Sequence, residues 1–210
     1  MIHSHDRSLW VGASDIEELI ALYNSDKANT HSNFIAVKTG LIDNPNIKSL
    51  YMKAGDLYER QIVDYSEVES IEYDKSIAIP KYSLRVNLDG NTPSKIIEAK
   101  TKKFAGEVHF DRRSPLWKRY YLQVQTQMFA WREYFGQEAT AVIKVYYLDT
   151  LDYEAVRLYK TPLPIDSERL EIIPIKYDDF TVKNMIIPAL EYISPYLAEM
   201  REEKEKRGVE

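Results

Sequence analysis

The stretch Leu88-Asp-Gly-Asn-Thr-Pro-Ser-Lys-Ile-Ile-Glu-Ala-Lys100 decides how this chain is read. Just before it, Leu84, Val86 and Leu88 alternate with Arg85, Asn87 and Asp89, the period of a half-buried strand. Gly90-Asn91-Thr92-Pro93 is turn chemistry, and Lys95–Lys100 reads as the returning strand. Residues two apart in a strand share a face, so Glu98 and Lys100 point the same way, and the turn brings Asp89 back beside them. Asp and Lys are poor strand formers. Two carboxylates and an ammonium at the end of a hairpin are costly to bury unless they pair or hold a cation. The plain alternative is a surface hairpin with a Glu–Lys pair.

If the three groups converge, the chemistry they offer is specific. Hard oxygen ligands suit Mg²⁺, which takes one or two carboxylates, waters and a substrate phosphate. A lysine beside such an ion can hold and help deprotonate a water, and the ion stabilises charge on a phosphate. Asp89, Glu98 and Lys100 are therefore what metal-dependent phosphodiester hydrolysis requires.

Working outward, Ser14-Asp-Ile-Glu17 is a capping-box pattern that opens a short helix. A second helical piece spans 34–40 and ends at Gly40, and a longer helix spans 48–69. Residues 70–79 are β-like, and Pro115 opens a helix to about Tyr134. Residues 140–148 and 153–160 read as strands, with a further extended piece near 171–176. A last helix starts near Thr181, with Pro188 and Pro195 as kink sites. There is no internal repeat and no linker. The expected fold class is α/β (α+β): one domain with a central mixed sheet flanked by helices.

Three features outside the hairpin bear on function. Glu59 follows Gly55 by four residues and shares its helix face. A helix-interior glycine costs about 1 kcal/mol against alanine, so a close neighbour is expected at Gly55. On the 115–134 helix, Leu116, Tyr120, Gln123, Gln127, Trp131 and Tyr134 fall on one stripe, with Gln125 opposite. Glutamines inside an apolar face need partners, for which a carboxylate, a water or a DNA phosphate would serve. At the first helix, free N–H groups favour phosphate, and Arg7 lies one short loop before Ser14.

Residues 95–119 hold eight Lys/Arg against three acids, a local +5 that leaves −10 elsewhere in a chain of net charge −5. A basic stretch on an acidic body attracts phosphate locally, although charge runs are commonly just solvated surface. With no cysteine among 210 residues, disulfides, thiolate metal sites and cysteine nucleophiles are excluded. The apolar runs are far shorter than the roughly 18 residues of a membrane span. The start, MIHSHDRSLW, has no basic-then-apolar export pattern, so a cytoplasmic protein is expected.

Taken in order, these motifs resemble the lambda-exonuclease/YqaJ family of viral recombination nucleases, within the PD-(D/E)xK superfamily. The resemblance rests on Arg7 with Gly12-Ala13-Ser14-Asp15-Ile16, Lys38-Thr39-Gly40, Gly55 to Glu59, Asp89-Gly90, Glu98-Ala99-Lys100 and Tyr120 to Gln125. It implies one restriction-endonuclease-like domain over 1–210: N-terminal helices 14–69, catalytic sheet 70–101, helix 115–134, then strands and a C-terminal helix over 140–206. It implies metal binding by Asp89, Glu98, the Ala99 carbonyl and Glu59, with two Mg²⁺ ions bound and Mn²⁺ as an alternative. Lys100 would activate the nucleophile, Tyr120 and Gln123 would support the centre, and Arg7, Ser14, Lys38, Lys102 and Lys103 would hold the 5′-phosphate and DNA.

The implied activity is 5′→3′ digestion of one strand of duplex DNA, releasing 5′-phosphomononucleotides and leaving 3′ tails for recombination by single-strand annealing. The implied partners are duplex ends, an annealing protein and two further copies in a ring-shaped homotrimer, in a bacterial cytoplasm under a virus or prophage gene. The chain departs from the pattern at Gly12 for threonine, Asn87 for serine and Gly106 for a basic residue; Asp74 is the nearest candidate for an extra acid. The rivals are an endonuclease of the same superfamily and a non-catalytic DNA-binding module of the same fold. His3 and His5 have no further ligands in sight.

Overall fold

The computed structural model describes residues 9–25, 34–39 and 49–207. Its helices are α1 (Ile16–Tyr23), α2 (34–38), α3 (Leu50–Asp64), α4 (Pro115–Phe135), α5 (Thr150–Tyr159), α6 (Asp179–Thr181) and α7 (Ile187–Arg207). The strands are β1 (Glu72–Ile79), β2 (Leu84–Asn91), β3 (Lys95–Lys103), β4 (Thr140–Leu148) and β5 (Leu170–Ile175). They form one sheet in sequence order, antiparallel except between β3 and β4, which run parallel. Parallel neighbours need a crossover, and α4 is that crossover.

The sheet faces two apolar layers. One joins Leu84, Val86, Leu88, Ile96, Ile143 and Val145 to α1, α4 and α7. The other joins Ile97, Ala99, Tyr146 and Leu148 to α3 and α5. The mixed sheet flanked by helices matches the expected fold class.

Local chemistry explains where the elements stop. Ser49 accepts from Met52 N at 3.2 Å and starts α3; Ser114 accepts from Trp117 N at 3.1 Å and starts α4, with Pro115 in its first turn. Gly136, at φ 66°, ends α4 in the left-handed conformation. The long helix expected over 48–69 ends at Asp64, and Ser66 turns the chain with φ 62°. Pro195 lies inside α7, where Ser194 Oγ donates to the Leu190 carbonyl at 2.7 Å, and a π-helical turn over Val182–Ile186 precedes Pro188.

Two expectations are corrected. Residues 153–160, read as a strand, instead form the body of α5 up to Tyr159, with Lys160 ending it in the left-handed conformation at φ 56°. Asp149 and Asp152 form a reciprocal capping box, and Asp152, Ala155 and Val156 turn inward at helical spacing. Buried Asp152 accepts from Tyr58 Oη at 2.6 Å and pairs with Arg169, contacts that only a helix facing α3 provides. The turn expected at Gly90–Pro93 also begins later, since β2 runs through Asn91.

Gly90 is inside the strand for a packing reason. A Cβ there would lie 2.4 Å from Val63 Cγ1 of α3. Gly55 makes the matching approach from the helix, where a Cβ would meet Thr101 Oγ1 of β3 at 3.3 Å. Two glycines thus let α3 lie directly on β2 and β3. The end of α3 is fixed by Lys144 of β4, which is 1 % exposed and donates to the carbonyls of Val63 (2.7 Å) and Tyr65 (2.6 Å) and pairs with Glu67 at 2.9 Å. Burial pulls its ammonium below the usual lysine range, against the opposing pull of Glu67.

Two outcomes are expected in urea unfolding. Gly90→Ala lowers stability by about 1–3 kcal/mol through overpacking, and Val63→Ala in the same chain restores part of the loss. Lys144→Met costs about 3–5 kcal/mol, because it leaves two carbonyls at the end of α3 without their donor and leaves Glu67 with Lys95 alone.

Candidate active site

β2 and β3 pair at Gly90–Ile97 and Asn91–Ile96, where they leave the turn. Beyond that point a side chain takes over from the ladder: Asp89 Oδ2 accepts from Ala99 N at 2.8 Å. The hairpin residues therefore meet as the alternation implied, but the link runs through a carboxylate and a backbone amide.

Glu98 is fully buried. Its Oε1 accepts from Lys100 Nζ and Gln123 Nε2, and its Oε2 accepts from Gln127 Nε2 at 2.6 Å. Both carboxylate oxygens are thus held by α4 and by the neighbour two residues along β3. Lys100 also lies over the Tyr120 ring, 5.2 Å from its centroid. Burial pulls the Lys100 ammonium down, but Glu98 and Asp89 outweigh it and hold the group above the usual range. Burial first, then Glu98, pushes the Asp89 carboxyl well above the usual carboxylate range, with Lys100 opposing. Glu59 is pushed up by burial and by Asp74 and Glu98. Burial also raises the Tyr120 hydroxyl.

The cluster carries more negative charge than its one lysine balances, and its two closest carboxylates flank the Ala99 peptide. That donor set fits a hard divalent cation completed by water and phosphate oxygens. Among the described residues no three His, Cys, Asp or Glu side chains are gathered at metal-binding range, so Glu59 does not complete a three-acid cage with Asp89 and Glu98.

Gln127 is the residue that the motif reading left out of the site. Its signal was present: it follows Gln123 by one helical turn on the same stripe. Besides Glu98 it donates to the Asn87 carbonyl at 3.4 Å, while its own Oε1 is buried without a partner. Gln125 has a different task. It donates to the Lys176 carbonyl and accepts from Asp178 N, both at 2.8 Å, pinning the chain before α6. Asp74 falls opposite Asp89 in the β1–β2 register and has φ 53°, rare for a non-glycine in a strand.

The expected phosphate-binding set is only partly gathered. Arg7 lies outside the described residues, as does Gly40. Ser14 is exposed on a 3₁₀ turn (Ala13–Asp15) and does not cap it; the Asp15 carboxylate turns back to accept from Gly12 N at 2.6 Å. Asp15 suits this role because it also pairs with Lys38 of α2. Lys102 lies over Phe110 (4.8 Å) and Tyr147 (5.7 Å), and Lys103 is exposed at the end of β3.

No family model matches this sequence, and no curated protein matches it either. Solved structures do. A phage related exonuclease from Haemophilus somnus 129PT is 18 % identical with TM-score 0.65, over 95 % of this chain and 98 % of that one. The alkaline exonuclease LHK-Exo from Laribacter hongkongensis is 19 % identical with TM-score 0.56, over 97 % and 96 %. LHK-Exo in complex with dAMP gives 20 % and 0.57, over 97 % and 95 %.

The chain has the fold of these exonucleases. Because the likeness spans nearly the whole of each chain, the shared exonuclease fold includes the sheet, the α4 crossover and the helices on both faces.

The contribution of Gln127 is measurable without any assay of activity. Gln127→Met keeps the length of the side chain but leaves Glu98 Oε2 without its donor. Urea unfolding is expected to show a loss of about 1–3 kcal/mol, and Gln127→Glu, which sets two carboxylates together, a larger one.

Proposed function

We propose that the protein is a Mg²⁺-dependent exonuclease that degrades one strand of duplex DNA from its 5′ end, releasing 5′-phosphomononucleotides and leaving 3′ tails. The observation that carries this reading is the meeting of Asp89, Glu98 and Lys100, with Gln123 and Gln127 locking the middle residue in place. The exonuclease fold of the neighbours supports it, and one of them was solved with dAMP, a mononucleotide of the kind such hydrolysis releases.

Asp89, Glu98 and the Ala99 carbonyl would hold the ion, with Glu59 reaching a second one through water. When bound, a divalent ion lowers the pKa of a water and stabilises charge on the phosphate. The remaining work belongs to the chain. Lys100, 19 % exposed while Glu98 is buried, is the group that meets solvent and substrate. As long as it pairs with Glu98 it stays charged, placed to donate to a water or a phosphate oxygen. If a bound ion drew the carboxylates away from it, Lys100 would be the group placed to take the proton of the attacking water. The Tyr120 ring lies beneath the Lys100 ammonium, and the two glutamines keep Glu98 from rotating.

Arg7, Ser14, Lys38, Lys102 and Lys103 are proposed to hold the 5′ end and the duplex, in a homotrimer that passes the 3′ strand to an annealing protein in a bacterial cytoplasm. Among the described residues no helix is long and apolar enough to cross a membrane.

The test is a gel of linear duplex with 5′-phosphate or 5′-hydroxyl ends and of a covalently closed circle, with Mg²⁺ and with EDTA. Digestion is expected of the linear forms only, and only with Mg²⁺. Glu98→Ala and Lys100→Ala are expected to lose at least about 100-fold in rate while keeping the wild-type circular dichroism. A folded Lys100→Ala protein with full activity would overturn the role of Lys100, and cutting of the closed circle would overturn the exonuclease reading.

A further inference from the structure

The loop 104–114 joins β3 to α4 and reaches past β4 to the edge strand β5. Its first residue extends the β3–β4 ladder, where Phe104 N donates to the Leu148 carbonyl at 2.8 Å. Its last turn folds on itself, with Arg113 N and Ser114 Oγ donating to Asp111. Among the described residues, one hydrogen bond ties 105–113 to another strand or helix: Phe110 N donates to Glu171 Oε2 at 2.8 Å.

Glu171 lies on β5 opposite Val145 of β4. The same Oε2 accepts from Tyr147 Oη of β4 at 3.0 Å. One carboxylate oxygen thus serves two donors on residues that are each 1 % exposed, and a buried donor left without an acceptor is costly. Burial, and then Glu171 itself, holds the Tyr147 hydroxyl above the usual tyrosine range, so it stays the donor. Among the described residues Glu171 pairs with no Lys, Arg or His, and the proposed hydrolysis gives it no part.

What Glu171 holds in place is a ring. Phe110 packs against Tyr120 and Trp117 of α4, with centroids 5.6 and 5.9 Å apart. Tyr120 is the ring over which Lys100 Nζ lies, 5.2 Å from the centroid. The attraction of an ammonium to a ring face depends on where that face is and how it is turned. A line of direct contacts therefore runs from Glu171 through Phe110 and Tyr120 to Lys100. Lys102, two residues further along β3, lies over Phe110 and Tyr147, the two residues that Glu171 joins.

We propose that Glu171 is a positioning residue for the hydrolysis: by anchoring Phe110 it sets the Tyr120 ring, and with it the place of the Lys100 ammonium. The catalytic part rests on the nuclease reading, from which Lys100 takes its role; the mechanical link does not. Glu171 acts as an acceptor and not as a charge, so Gln, whose carbonyl oxygen can take both donors, should replace it.

The link is read by NMR on protein carrying ¹³C at the lysine ε-carbons. The Lys100 signal is the one missing from Lys100→Ala, and its ε-protons are shifted upfield by the Tyr120 ring. Tyr120→Leu gives the position without that ring. Glu171→Leu and Phe110→Leu are expected to move the signal toward the Tyr120→Leu position, and Glu171→Gln to leave it in place. The rate is read with Mg²⁺ at saturating linear duplex, where any weaker DNA binding through Lys102 does not enter. Glu171→Leu and Phe110→Leu each slow it about tenfold, the double variant is no slower than either, and Glu171→Gln keeps the wild-type rate. Should Glu171→Leu fail to fold by circular dichroism, Phe110→Leu and Glu171→Gln decide. A Lys100 signal unmoved in the leucine variants, an unchanged rate in them, losses that multiply in the double variant, or a Glu171→Gln protein as slow as Glu171→Leu overturns the proposal. Wild-type protein that digests no DNA would sink the nuclease reading instead, and the Lys100 signal would then decide the link by itself.

Discussion

One buried carboxylate organises this molecule. Glu98 sits in the middle of the sheet with no exposed surface, and an unpaired charge there would cost several kcal/mol. It is tolerated because three donors on two elements converge on its two oxygens. The need to supply those donors fixes the rotation of α4, the register of β3 against that helix, and the direction of Lys100. The apolar packing around them is ordinary and would accept many rearrangements; the polar cluster accepts very few.

The opposite face depends on closeness instead of charge. At Gly90 and Gly55 the backbones of α3 and the sheet approach until no methyl group fits easily between them. Lys144 then holds the helix end from beneath, through the carbonyls that a helix leaves unpaired. This seating sets the distance of Glu59 from the acids on β2 and β3. The two glycines and the lysine are far from each other in sequence, yet they serve one joint.

Much of this was legible from the chain alone, for a physical reason. Alternation fixed the faces of β2 and β3, and a helical stripe with glutamines in an apolar setting implied a polar partner across it. What was illegible depended on tertiary context. Residues 153–159 hold strand-favouring Tyr and Val, yet they are helical, with Asp149 and Asp152 capping the start and Asp152 meeting Tyr58 and Arg169. Gly90 looked like a turn residue, whereas it answers to Val63, 27 positions earlier. Ser14 had the pattern of a cap, but Asp15 does the capping while it also meets Lys38. At Gly90 the deciding atom belongs to a distant segment, whereas at α5 and at Asp15 a local capping contact acts together with a distant partner.

The parallel pairing of β3 with β4 has a bearing on how the molecule comes together. Residues 89 to 100 leave the ribosome well before 123 and 127, and the strand that completes the sheet beside them ends only at 148. Until then the charge at 98 has no shelter and stays hydrated, so drying of the cleft belongs among the last events of folding. A chain that lacked α4 would hold the acids and the lysine without the two glutamines that satisfy Glu98.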